Sequence, residues 1–166
     1  DMSEKVYNNP ANIEVGQGYA GETGETYGEK GRERMFAVFD SPQMGVRALA
    51  RDLKTKIKRW DGDVYKMMSQ FAPAFENPTH NYRKHIVNTL GGLDKVESNN
   101  PEHLKLMMKG IIEFENKKDS NRTKMYLSPE ILDEGIALSN MSFPSSASYE
   151  DAKEYIRRKN DLLSRL

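Results

Sequence analysis

Residues 36–49 have the sequence FAVFDSPQMGVRAL, and the periodicity of the chain changes within this stretch. Its first four residues are apolar or aromatic, which is typical of a short buried strand. Ser41-Pro42 then predicts the start of a helix, because serine is a favoured N-cap and proline is tolerated at the first helical position. From Val46 to Trp60, apolar residues recur at helical spacing on one face. The stretch therefore predicts a strand followed directly by a long helix.

The chain before this stretch is rich in glycine, with six glycines and three glutamates between Gly16 and Gly31. Such a density of glycine excludes a helix and favours a long loop or a glycine-kinked hairpin. Short strand candidates flank it at residues 12–15 and 35–39. We therefore expect a small β-lobe over about residues 5–40.

Prolines and capping residues divide the remaining chain into helices. Further helices are predicted to start after Asp63 and near residues 79, 101, 129 and 148. The predicted fold class is α+β, with a glycine-rich β-lobe beside five or six helices. We expect a domain of residues 1–127, with a helical lobe over about 41–127. A C-terminal helical extension, residues 128–166, either packs on that domain or binds a partner.

Composition restricts the functions that this chain can have. Its 166 residues suit a single domain of roughly 150 residues. The 25 basic and 25 acidic side chains cancel, which argues against non-specific binding to nucleic acid. No apolar run approaches the ~20 residues of a membrane span. Without cysteine, and with three histidines that lack zinc-site spacing, we expect neither a metal nor another cofactor. Carboxylates are left as the source of any chemistry.

Glu115 is the carboxylate with the clearest signal. It continues the apolar stripe of the fourth predicted helix, just before Asn116, a candidate left-handed C-cap. Burial and the negative end of the helix dipole would both raise the pKa of such a carboxyl. A carboxyl that stays protonated near neutral pH can act as a general acid. The stripe consists of Leu104, Met107, Met108, Ile111 and Ile112.

A simpler interpretation of Glu115 stays open. A glutamate in the last turn of a helix is often the edge of the stripe, reaching water or pairing with a lysine. Lys105, Lys109 and Lys117 are near enough in sequence to be that partner. Elsewhere, we expect Arg47 on a solvated helix face or paired with a loop acid. The three histidines, His80, His85 and His103, are expected at the surface.

Four motifs in order resemble a family found in tailed phages and prophages. They are NNPANI at residues 8–13, FAVFDSPQMGVRAL at 36–49, APAFENPTHNY at 72–82 and GIIEFEN at 110–116. This chain departs from the family at Ala11, where glycine is usual, and at Tyr19, where tryptophan is commoner. The members are lysozyme-like or structural proteins of the virion. The resemblance therefore implies a lysozyme-like fold, and a virion protein that acts in the periplasm or cell wall of the host.

A weaker resemblance is to bacterial autolysins of the endo-N-acetylglucosaminidase type. The order of segments looks like theirs with the helix of the catalytic glutamate moved to the far end, as in a circular permutation. This resemblance implies that Glu115 matches the catalytic glutamate and that residues 8–13 pass beside it. It is an analogy at the level of the fold.

A lysozyme-like fold implies a cleft between the β-lobe and the helical lobe, where a glycosidase needs a second group beside its acid. Glu14, Glu22 and Glu25 are candidates, and Glu22 matches the family motif best. Aromatic rings such as those of Tyr19 and Tyr27 suit the apolar face of a sugar. Alternatively, the glutamates solvate a loop and the tyrosines are structural. The expected contacts to substrate are Asn9, Asn12, Tyr19, Glu25, Asn77 and Tyr82.

The sequence thus predicts a phage glycosidase that cleaves the β-1,4 glycan strand of peptidoglycan with Glu115 as general acid. Its type is that of a lysozyme, a glucosaminidase or a lytic transglycosylase. The alternative is a structural or ejection protein of the virion that keeps a lysozyme-like fold without turnover. Besides the glycan, other virion proteins are expected partners through the amphipathic C-terminal helix.

Overall fold

The computed structural model describes residues 6–28, 34–71 and 79–166. This part of the chain forms a mixture of helices and one small sheet, so the α+β class is confirmed. No helix among the described residues is both long and apolar enough to span a membrane. The elements are β1 (Glu22–Tyr27), β2 (Phe36–Phe39), α1 (Pro42–Arg59), α2 (Val64–Phe71), α3 (Thr79–Thr89), α4 (Pro101–Glu115), α5 (Ser120–Leu127), α6 (Pro129–Ser139) and α7 (Tyr149–Ser164).

The glycine-rich segment contains a strand. β1 lies within it and pairs antiparallel with β2, with Glu22 opposite Phe39 and Tyr27 opposite Phe36. The register shifts between Glu22 and Thr26, where Gly24 has a positive φ of 89°. The strand expected at residues 12–15 is instead a single bridge from Glu14 to Phe36.

The described residues form seven helices, so the expected number of five or six was wrong. The additional helix is α5, whose sequence SNRTKMYL has too few apolar residues for a helical period to be visible. Its start is set by Asp119, whose side chain accepts a hydrogen bond of 3.0 Å from the Arg122 N–H.

The chain divides into two compact units. The first consists of residues 1–48 and 129–166, and the second of residues 49–128. These boundaries differ from those expected from the sequence, because α6 and α7 belong to the same unit as the hairpin. One direct link is the hydrogen bond of 2.8 Å from the Gly21 N–H to the Ala147 carbonyl.

Arg47 is a core residue of the first unit. Only 2% of it is exposed, so the expectation of a solvated face was wrong. Its Nε donates to the Leu138 carbonyl at 3.1 Å, and its Nη2 donates to the Met141 carbonyl at 2.7 Å. These carbonyls lie at and just after the C-terminal end of α6, where backbone acceptors lack helical partners and the helix dipole is negative. The guanidinium also lies 5.1 Å from the centre of the Phe143 ring.

Two glycines allow α1 to pack closely in this unit. A Cβ on Gly45 would lie 1.7 Å from the Asn8 carbonyl oxygen, and one on Gly135 would lie 2.4 Å from Cγ1 of Val46. Real side-chain carbons do not approach other atoms so closely. Both contacts therefore depend on the missing side chain.

The second unit is a helical core in which α3 packs on α4. A Cβ on Gly110 would lie 2.8 Å from Cδ1 of Ile86, so the two helices meet closely at this position. The fully buried apolar side chains of the unit include Leu49, Leu53, Met67, Met68, Ile86, Met107, Met108 and Ile111. This packing fixes α4, the helix that carries Glu115.

Replacing Arg47 tests its role in the first unit. We expect Arg47→Ala to lower the free energy of unfolding by roughly 3–5 kcal/mol, because the hydrogen bonds of the guanidinium to the Leu138 and Met141 carbonyls are lost and a cavity opens. Arg47→Lys should also destabilise the protein, since an ammonium group cannot reproduce the fork of a guanidinium. Urea unfolding followed by circular dichroism measures both effects. Arg59→Ala, exposed on the same helix, is the control and should change stability by less than about 0.5 kcal/mol. Equal effects at the two arginines would contradict this role.

Candidate active site

Helix α4 has a well-defined start. The Asn100 side chain accepts hydrogen bonds from the N–H groups of Glu102 at 3.0 Å and His103 at 3.2 Å. Pro101 then occupies the first turn, where its missing N–H is not needed. The buried residues of α4 include the whole predicted stripe, together with Gly110. The stripe is therefore a core face, and Glu115 is the last residue of the helix that carries it.

The end of α4 is held by a side chain and not by a left-handed backbone. Asn116 has a φ of −114°, so the expected left-handed stop was wrong. Its side-chain Nδ2 donates to the Ile112 carbonyl at 2.8 Å, and its backbone N–H donates to the same carbonyl at 3.0 Å. The Asn116 carbonyl in turn accepts a hydrogen bond of 3.1 Å from Oγ1 of Thr123 on α5. These bonds fix the backbone immediately after Glu115.

Glu115 is half-buried beside two stacked aromatic rings. The rings of Tyr82 on α3 and Phe114 on α4 lie 4.2 Å apart, with 26° between their planes. Only 4% of Tyr82 is exposed, so its ring supports the α3–α4 contact and does not face solvent. We refer to Tyr82, Phe114 and Glu115 as the Glu115 site.

The Tyr82 hydroxyl interacts with the Glu115 carboxylate. Burial raises the pKa of Tyr82 well above its ordinary value of 10.0, and the charge of Glu115 and a side-chain hydrogen bond to it raise this pKa further. Among the described residues, the hydroxyl meets no acceptor at good hydrogen-bond geometry, which makes the bond to Glu115 long or bent. Tyr82 therefore stays protonated at neutral pH, with a donor close to the carboxylate.

Ionisable groups flank the site. Nε2 of His85 lies 3.4 Å from Oε1 of Glu113, and the His85 ring lies 6.1 Å from that of Phe114. Nζ of Lys117 lies 4.3 Å from the centre of the Phe114 ring, a cation–π contact. His85 is half-buried, with 38% of its side chain exposed, so it keeps part of the surface position expected for it. Its spacing of three residues from Tyr82 placed both on one face of α3, a signal that could have revealed its position near Phe114.

Asn9, a predicted substrate contact, is buried in the first unit and bonded to the backbone. Its Nδ2 donates to the carbonyls of Ile13 at 3.0 Å and Ala37 at 2.8 Å. Its Oδ1 accepts a hydrogen bond of 2.9 Å from the Ile13 N–H. Both amide protons are therefore used to hold the segment before β1 against β2, and the structure gives Asn9 a supporting role.

Asn12 and Tyr27 form a second polar contact of the first unit. Asn12 has a left-handed φ of 53°, and its Oδ1 accepts a hydrogen bond of 2.6 Å from the Tyr27 hydroxyl. The Tyr27 ring stacks on Tyr7, with 3.9 Å between the centres and 9° between the planes. One face of Tyr27 is therefore already covered by another aromatic ring.

Glu22, Glu25 and Tyr19 also lie in the first unit. Glu22 begins β1 and is half-buried, and its Oε1 is shielded from solvent without a hydrogen-bond partner in the described part of the chain. Such an oxygen is unusual, because buried carboxylate oxygens normally accept hydrogen bonds. Glu25 is exposed on the same strand, and Tyr19 is half-buried just before it.

The predicted site residues thus separate into two sets. Tyr82 and Glu115 belong to the second unit, whereas the first unit holds Asn9, Asn12, Tyr19, Glu22 and Glu25. Asn77 lies outside the described residues. Within residues 6–28, 34–71 and 79–166, no group of acidic or histidine side chains is arranged to hold a metal ion.

Two comparisons with known proteins found no relative. Neither the models of known protein families nor the curated proteins include a match to this chain.

The pKa of Tyr82 leads to a prediction about stability at alkaline pH. Because this pKa is higher in the folded than in the unfolded chain, the stability it contributes is complete below pH 10.0 and is lost as the pH rises towards the folded value. Tyr82→Phe keeps the stack on Phe114 but lacks the ionising hydroxyl. The free energy of unfolding of this variant should therefore fall less than that of the wild type between about pH 8 and about pH 11. Urea unfolding at a series of pH values measures the slopes.

The control for this experiment is Tyr65→Phe on α2, whose side chain is 61% exposed. It should retain the pH dependence of the wild type. If Tyr82→Phe also retained it, the hydroxyl of Tyr82 would not be held protonated by its surroundings.

Proposed function

We propose that this protein is a glycosidase that cleaves the β-1,4 glycan strand of peptidoglycan, with Glu115 as the general acid. The observation that carries the proposal is the position of Glu115: half-buried at the end of an apolar helix face, beside the buried Tyr82 hydroxyl. Cleavage of a glycosidic bond requires an acid that protonates the leaving oxygen. A carboxyl partly removed from water on a fixed backbone suits that task.

Two influences act on the protonation of a carboxyl in this position. Partial burial and the carbonyl end of α4 favour the neutral acid, which is the form that donates a proton. The Tyr82 hydroxyl favours the carboxylate, because it can donate a hydrogen bond to the oxygen that has lost the proton. Tyr82 is thus proposed to stabilise the conjugate base and to orient Glu115, without contacting the glycan itself.

Glu22 is proposed as the second carboxylate of the reaction. Its shielded Oε1 lacks a hydrogen-bond partner among the described residues, so that oxygen has an unused capacity to accept a proton or a hydrogen bond. A second carboxylate can activate water or stabilise the oxocarbenium-like transition state. A lytic transglycosylase needs no such nucleophile. A requirement for Glu22 would therefore distinguish hydrolysis from the formation of a 1,6-anhydro sugar.

The proposed setting is a phage virion whose enzyme acts on the cell wall or periplasm of the host. The four ordered motifs that resemble the phage family support this setting. The mixture of a β-hairpin and helices is compatible with the lysozyme-like fold that the resemblance implies. Glycan contacts are proposed for Asn12, Tyr19 and Glu25, which lie on or near the hairpin, and for Asn77.

The decisive test is Glu115→Gln, which keeps the shape of the side chain and removes its acid. We expect the release of reducing sugar or of 1,6-anhydro sugar from purified peptidoglycan to fall by about 100-fold or more, as is usual on loss of a general acid. The matched control is Glu113→Gln, half-buried on the same helix, which should retain activity within about threefold. Circular dichroism would establish that both variants fold.

Other outcomes of this assay point elsewhere. Equal activity of wild type and Glu115→Gln would eliminate Glu115 as the acid. Binding to insoluble peptidoglycan without turnover by the wild type would favour the alternative of a non-catalytic virion protein with a lysozyme-like fold.

Glu22→Gln separates hydrolysis from anhydro-sugar formation. If Glu22 assists as a base or nucleophile, the variant should lose about 100-fold of its hydrolytic rate while Glu130→Gln, exposed on α6 of the same unit, keeps its activity. Mass spectrometry of the released fragments identifies the product. Full activity of Glu22→Gln with an anhydro product would show that Glu115 acts without Glu22.

A further inference from the structure

Helix α7 is firmly attached at its start. Ser148 and Asp151 form a capping box, in which each side chain accepts a hydrogen bond of 3.0 Å from the backbone N–H of the other. The Tyr149 N–H donates to Oδ2 of Asp40 at 2.8 Å, and the Tyr149 hydroxyl donates to Glu134 on α6. Ala152 is fully buried. The first turns of α7 are therefore part of the packed first unit.

The second half of α7 is not packed. Every residue from 157 to 166 is exposed, although this half keeps apolar side chains at helical spacing. Leu162 is 63% exposed and Leu163 is 54% exposed, and Tyr155, about two turns before Leu162, is 52% exposed. An amphipathic helix normally buries such a face, and an exposed contiguous apolar face marks an interaction site. We define the α7 stripe as Tyr155, Ile156, Lys159, Leu162 and Leu163.

Lys159 occupies the middle of this stripe. It lies three and four residues from the apolar members on both sides, so the helical period places it between them. The arginines of this helix have intrahelical partners: Arg157 and Arg158 pair with Glu154, and Arg165 pairs with Asp161. In the part of the chain that is described, no carboxylate pairs with Lys159.

A positive charge within an apolar stripe restricts what can cover that stripe. Covering it removes the ammonium group from water, which costs free energy unless a carboxylate pairs with it. A second copy of this chain would present the same stripe, which contains no acid. A lipid surface would bring the hydrocarbon region against a lysine at the centre of the apolar face. A protein helix with an acid in its own apolar stripe supplies both an apolar face to cover the leucines and a carboxylate to pair with Lys159.

We propose that the α7 stripe is a docking site for an amphipathic helix of a protein partner, whose apolar face carries a glutamate or aspartate opposite Lys159. Tyr155, Ile156, Leu162 and Leu163 supply the apolar contact, as in other helix-on-helix recognition. The ion pair with Lys159 sets the register and selects the partner. The α7 stripe shares no residue with the Glu115 site, and this proposal does not depend on the proposed glycosidase activity.

The test uses two synthetic helical peptides and the full chain. Both peptides have about 20 residues with a leucine stripe, and they differ only in a central glutamate or lysine within that stripe. We expect the wild type to bind the glutamate peptide at least about tenfold more tightly than the lysine peptide by fluorescence anisotropy. Lys159→Glu should reverse this preference. Leu162→Ser with Leu163→Ser should weaken binding of both peptides about tenfold or more.

Controls and contrary outcomes are equally specific. Lys124→Glu, an exposed lysine on α5, should leave the preference between the peptides unchanged. Equal affinity for the two peptides, or a preference that persists in Lys159→Glu, would overturn the proposal. It would also be overturned if α7 instead mediated dimerisation in sedimentation experiments, or bound vesicles of anionic phospholipid while ignoring both peptides.

Discussion

The first unit depends on a buried cation whose described hydrogen bonds are to backbone carbonyls. Arg47 reaches from α1 to the end of α6 and donates to the carbonyls of Leu138 and Met141. Its burial would be costly without these acceptors, because a buried charge needs hydrogen-bonding partners. The absence of a side chain at Gly135 allows α6 to approach Val46 on α1, next to Arg47. One side chain thus satisfies a helix end and joins segments that are distant in sequence.

Local signals in the sequence were sufficient for most of the elements. The helix start at Ser41-Pro42, the α4 stripe and the capped start of α7 follow from residues within a few positions of each other. Other features depend on contacts that no local pattern contains. Arg47 looks like an exposed helix residue until α6 is placed beside it, and Asn116 ends α4 with its side chain instead of a left-handed backbone. The helix α5 was missed because its fixed end, Asp119, precedes a mostly polar segment.

The same distinction applies to the candidate site. The apolar period of α4 identified Glu115, because the spacing of residues in the sequence is enough to show that this carboxylate continues the apolar stripe. Its contact with Tyr82 is between two helices and needed the structure. Conversely, Asn9 was an expected contact to substrate, and the structure shows that its side-chain Nδ2 donates hydrogen bonds to the Ile13 and Ala37 carbonyls. A polar residue in a motif can support the backbone as readily as it binds a ligand.

The division of the chain also sets an order for folding during synthesis. The second unit is one continuous segment, residues 49–128, whereas the first is assembled from residues on either side of it. The Arg47 contacts join positions 91 and 94 residues apart in sequence. During synthesis, residues 49–128 therefore leave the ribosome before α6 has been made. The Arg47 contacts, which join residues far apart in sequence, form slowly by comparison. The hairpin and the start of α1 must wait, with their apolar faces uncovered, until residues 129–148 have emerged.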